Sequence, residues 1–81
     1  MAKSLHTPEY EQFRALLVAA RQKAGLTQAE VSEKLKRPQS FVAKYEGGER
    51  RLDIVEFVQV CTALGVDPHA VLRAMQKRSG A

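Results

Sequence analysis

The chain has 81 residues, enough for one domain, and a domain this small buries only roughly 60–65% of the surface its unfolded chain exposes. Its hydrophobic content of 44% excludes an intrinsically disordered chain, and no apolar run approaches the ~20 residues of a membrane helix. Formal net charge is +4, from 13 Lys and Arg against 9 Asp and Glu, which permits a polyanionic partner without establishing one.

Every apolar pattern along the chain has helical period, and no segment alternates like a strand. Residues 1–6 read as a flexible arm. Thr7-Pro8 reads as an N-cap followed by proline at the first helical position, with Glu9 and Glu11 placed near the positive helix end. Phe13, Leu16, Leu17, Ala20 and Ala24 form an apolar stripe, and Gly25 stops this helix. Thr27 caps a second helix, with Glu30 spaced to close a capping box. Its inward positions are expected to be Ala29, Val31, Ser32 and Leu35.

Pro38 cannot sit deep in a helix but suits a first turn, so a third helix is expected from about Pro38 to Glu46. Val42 and Tyr45 are its inward anchors, and Gly47-Gly48 ends it. Asp53 caps a fourth helix with Glu56 as its capping-box partner. Ile54, Val55, Phe57, Val58, Cys61 and Leu64 supply its apolar surface, and Gly65 ends it. Asp67-Pro68 starts a fifth helix with Val71, Leu72 and Met75 facing inward. Residues 7–78 thus form a single all-α domain, a compact five-helix bundle, followed by a disordered tail at 79–81.

Charge is unevenly spread. Residues 34–51 hold Lys34, Lys36, Arg37, Lys44, Arg50 and Arg51 against Glu46 and Glu49. Residues 52–70 carry Asp53, Glu56 and Asp67 and no Lys or Arg. The basic stretch coincides with the second and third helices, two short helices separated by a minimal break. A helix held out in this way can enter the DNA major groove, and the basic surround is an electrostatic footprint for phosphate.

The run Gly25-Leu26-Thr27-Gln28-Ala29-Glu30, followed by Leu35, Val42, Glu46, Gly48 and Leu64-Gly65-Val66, resembles the lambda-repressor-like, or Xre/Cro-type, helix-turn-helix family. The match spans roughly residues 13–73. The resemblance implies a five-helix DNA-binding domain whose third helix presents its first turn to base edges. Gln39, Ser40 and Lys44 are then the base-reading candidates. Gln can bond adenine bidentately and Lys can donate to guanine. Phe41 stands beside them with two readings open, a rim residue of the core or a contact to a thymine methyl. The family's phosphate contacts fall here on Gln28, with Thr27 beside it, and on Arg50 and Arg51 after the third helix. Arg37 in the turn is a further phosphate candidate. Such contacts position the protein without reading sequence. The resemblance also implies a partly buried ion pair between Arg21 and Glu46, a structural role that keeps both out of the DNA site.

Two positions depart from the family pattern. Lys36 stands where glycine is usual, so either a lysine adopts the left-handed conformation at a cost of about 1 kcal/mol or the turn is built differently. Ser32 replaces a usual alanine, a near-isosteric change whose hydroxyl can bond back to a preceding carbonyl.

Other chemistries find no support. His6, His69 and Cys61 match no metal spacing, and no paired carboxylates or nucleophile–base set marks an enzyme. No cofactor is expected. The one cysteine excludes an internal disulfide and fits a reducing cytoplasm, and MAKSLHTPEYEQF has no apolar signal core. The expectation is a transcriptional regulator of repressor type, acting as a homodimer on double-stranded DNA, with no membrane partner. A restriction–modification controller and a DNA-binding antitoxin fit the same residues. A protein-interaction module that does not bind DNA is the competitor from a different class. Phe57, Val58, Val60, Val71, Leu72 and Met75, on the fourth and fifth helices, are the expected dimer surface.

Overall fold

Local signals decide where each helix begins. In the computed structural model, which describes residues 7–78, Thr7 Oγ1 accepts a hydrogen bond from Tyr10 N at 3.1 Å and opens α1, Pro8–Lys23. Thr27 and Glu30 close a reciprocal capping box on α2, Gln28–Leu35. Asp53 and Glu56 do the same for α4, Ile54–Leu64. Asp67 Oδ1 accepts from His69 N at 3.0 Å at the start of α5, Pro68–Arg78. The expected arm at 1–6 and tail at 79–81 lie outside the described residues.

The helix ends repeat one motif. After α1, Leu26 N reaches Arg21 O and Gly25 N reaches Gln22 O; after α4, Val66 N reaches Cys61 O and Gly65 N reaches Thr62 O. Both are Schellman closures with glycine in the left-handed region, at φ 74° and 72°. Helix α2 closes in the same way, with Arg37 N on Ser32 O and Lys36 N on Glu33 O, but the left-handed residue is Lys36, at φ 58° and ψ 45°. The turn keeps its left-handed geometry, and lysine bears the strain that glycine would avoid.

Helix α3 spans Gln39–Gly47. Pro38 lies just outside it, with ψ 150°, rather than in its first turn as expected. Its ring restricts Arg37 to extended backbone and separates α2 from α3. These five helices, counted among the described residues, pack with α2 against α3 and α4, α1 against α3 and α5, and α4 against α5. Leu17, Val31, Val42, Tyr45, Phe57, Val60, Cys61, Leu64 and Val71 form the core, joined by Phe41. Phe13 packs against Phe57 with the rings tilted at 54° and their centres 5.4 Å apart, tying α1 to α4.

Several inward assignments change. Ala24, the C-cap of α1, is exposed, and so is Ala29, because α2 buries only the stripe of Val31 and Ser32 with Leu35 at its edge. Ser32 is buried, yet its Oγ has no hydrogen-bond partner, so the bond to a preceding carbonyl that it could form is not made. Phe57, Val60 and Val71 are core residues and cannot belong to a surface that recruits a second chain. Exposed apolar residues on α4 and α5 are Ile54, Val55, Val58 and Leu72.

Candidate DNA interface

Helix α3 is divided by its own periodicity. Val42 and Tyr45, both essentially sealed from solvent, pin one side against α2 and the core. Gln39, Ser40, Ala43 and Lys44 are thereby left exposed on the other side. The three base-reading candidates Gln39, Ser40 and Lys44 therefore share one open face.

Phe41 does not join them. It is only 7% exposed and packs edge-on against Tyr45 at 5.5 Å between ring centres. Two guanidinium groups cover its ring, Arg37 at 4.4 Å and Arg50 at 4.9 Å from the centroid. A ring buried on one side and capped by cations has no surface left for a thymine methyl. Of the two readings open in the sequence, the core one holds, and Phe41 leaves the base-reading set.

The C-terminal end of α3 is anchored through Glu46. Arg21 Nε and Nη2 donate to its carboxylate at 2.7 and 3.1 Å, and Arg21 Nη1 donates to Leu26 O at 2.9 Å. The bond to Glu46 pushes the Arg21 guanidinium above its ordinary range. Gln28 Nε2 donates to Glu46 Oε1 at 3.0 Å. Gln28 thus has a structural partner in addition to the phosphate role expected of it. An amide nitrogen carries two hydrogens, so one remains for a phosphate oxygen. Thr27, just before it, is exposed, with its hydroxyl already accepting from Glu30 N.

The connection from α3 to α4 carries two arginines in defined positions. Arg50 donates to Glu56 through both terminal nitrogens, at 2.9 and 2.8 Å, and to Arg51 O at 2.9 Å. Arg37, from the other side of α3, lies 3.6 Å from the same Glu56 carboxylate. These contacts, led by Arg50, hold the Glu56 carboxyl at about 2, far below the usual range. Arg51 stacks over the Tyr10 ring at 4.4 Å. The Tyr10 hydroxyl accepts from Leu52 N at 3.1 Å, so α1 fixes the path of this loop.

Glu56 and Tyr10 are the residues that sequence reading missed. The Asp53–Glu56 spacing revealed a helix cap but not its arginine partners. Tyr10 lies about forty positions from the loop it holds, and no local pattern reports such a contact.

The fold and this face together define a helix-turn-helix DNA-binding domain. Comparison with known proteins agrees. The family model described as "Helix-turn-helix domain" matches residues 12–75. An XRE-family like protein from Pseudomonas syringae pv. tomato str. DC3000 is 46% identical, with a TM-score of 0.84 over 86% of this chain and 85% of that one. The restriction–modification controller protein C.AhdI from Aeromonas hydrophila is 27% identical, with a TM-score of 0.68 over 74% of this chain and 91% of its own. A point mutant of the controller C.Esp1396I is 18% identical and shares the fold, with a TM-score of 0.80 over 90% of this chain and 92% of its own. None of the curated proteins searched matches the chain. The chain belongs to the lambda-repressor-like, Xre-type helix-turn-helix family, and it is a DNA-binding transcription regulator.

Proposed function

We propose that this protein is a sequence-specific transcriptional repressor that binds double-stranded DNA in the cytoplasm as a homodimer on a pseudo-palindromic operator. The observation that carries this reading is the division of α3. One side is sealed into the core at Val42 and Tyr45, and the other presents Gln39, Ser40 and Lys44 together. Base contacts come from those three. Phosphate contacts come from Gln28, Arg37, Arg50 and Arg51, with Thr27 beside Gln28.

One domain presents one reading helix, and a short half-site alone gives little affinity or discrimination. A two-fold dimer supplies two reading helices about 34–36 Å apart. Val58 and Leu72, exposed on α4 and α5, support an interface there. Selection of preferred sites from a random DNA pool tests the whole reading. Inverted half-sites separated by about one helical turn are expected. A pool that fails to enrich any sequence, with no salt-sensitive binding, leaves the protein-interaction module as the better reading. Sedimentation as a monomer at high micromolar concentration counts against the dimer. Control of a restriction–modification operon is a second reading, supported by the likeness to C.AhdI.

A further inference from the structure

We propose that Glu56 is a positioning residue for DNA binding, whose buried carboxylate holds Arg37 and Arg50 together on the Phe41 ring as a paired cradle for one backbone phosphate. The proposal rests on the DNA-binding reading above and names a residue outside its contact set.

The geometry is specific. Glu56 has a side chain only 10% exposed, and its Oε1 also accepts from Asp53 N at 3.0 Å, so the carboxylate is fixed to backbone. Arg50 lies flat along it through two bonds, and Arg37 approaches the same Oε2 from the turn before α3. Both guanidinium groups lie over the same aromatic ring, 4.4 and 4.9 Å from its centroid. The arginine side chains remain 38% and 39% exposed, so their outer edges are open while the acid behind them is hidden. Two residues 13 positions apart are thereby held on the flank of the reading helix before any ligand arrives.

Two effects of Glu56 oppose each other. As an anion it repels phosphate, and removing one charge ~6 Å away in water would tighten binding by about threefold. As an organiser it spares the complex the ordering of two long side chains. Each such ordering costs on the order of two- to tenfold in affinity, so two cost about four- to a hundredfold, about twentyfold at the middle of that range. Organisation outweighs repulsion, and the sign of the mutant effect separates the two.

Glu56→Gln keeps the length and the oxygen that caps Asp53 N, but loses the charge that grips the arginines. Titration of the selected operator, well below the melting temperature of both proteins, is expected to show about five- to tenfold weaker binding for E56Q, the ordering loss less the threefold gain from lost repulsion. In a background with Arg37→Ala and Arg50→Ala the same change is expected to cost nothing, because its route of action is gone. In the unbound protein, the NMR signals of the Arg37 and Arg50 Nε–H groups are expected to be dispersed in wild type and collapsed in E56Q. Binding by E56Q as tight as wild type, or tighter, overturns the proposal. An equal loss in the double-alanine background does too, since it reduces Glu56 to a helix cap. If wild type binds no DNA, the DNA reading itself fails, and the NMR comparison then shows whether Glu56 still organises the pair.

Discussion

Glu46 joins three helices through one carboxylate. It sits on α3, with Arg21 of α1 and Gln28 of α2 donating to it, and is itself buried. Its partner Arg21 is 15% exposed, so deletion of the acid strands a poorly hydrated cation. Glu46→Ala is therefore expected to destabilise the fold by about 2–4 kcal/mol, toward the cost of breaking a buried pair. An unchanged melting temperature would refute that role. Lys36 is the opposite case, a residue that the backbone tolerates rather than uses. Its left-handed conformation is the one that glycine adopts after α1 and α4. Lys36→Gly is expected to stabilise by about 0.5–1 kcal/mol, after its looser unfolded chain is counted. For a domain of this size that raises the midpoint of a thermal melt by a few degrees.

At the scale of elements, the proposed interface divides reading, on α3, from holding, on its flanks. Gln39 and Lys44 lie on the open face of the helix, whereas Arg51 lies beyond its end and rests on Tyr10 of α1. Gln39→Ala or Lys44→Ala is expected to relax preference at particular base pairs by ~1–3 kcal/mol each. Arg51→Glu is expected to weaken binding to all sequences alike and to flatten its dependence on salt. Competition assays with single-base operator variants, run at several salt concentrations, distinguish the two patterns. If Arg51→Glu changes sequence preference instead, the division of labour is wrong.

The same scale explains what could be read without coordinates. Caps at Thr7, Thr27 and Asp53 and stops at Gly25 and Gly65 act within a few residues, so their spacing alone located the helices. Glu46 was legible through the family's pattern. Phe41 was not, because its burial depends on α4 bringing Glu56, and with it two arginines, against the start of α3. The exposure of Ala29 was not legible either, because a small residue spaced for the inner face gives no sign of how narrow a stripe an eight-residue helix buries.

For the whole molecule, acid is the condition that tests these networks together. The Glu56 carboxyl is held at about 2 in the folded protein against an ordinary value of 4.5. Its contribution to stability is therefore complete above the ordinary value and is lost as pH falls from there toward 2. Thermal melts between neutral pH and pH 2.5 are expected to show wild type losing stability more steeply than E56Q across that window. Parallel curves for the two proteins would mean that the ion pairs of Glu56 add nothing to folding.

Cys61 lies at the centre of the core, fully buried, and burial pushes its thiol up to about 11. It is also the chain's single cysteine. The thiolate is the reactive form, so an alkylating reagent meets a group that is both sealed and un-ionised while the domain is closed. Labelling can proceed only when the bundle opens far enough to wet the contact between α4 and its neighbours. The molecule thus carries an intrinsic clock for its own unfolding. The rate at which Cys61 is modified, with and without operator DNA, would report how far ligand binding slows that opening.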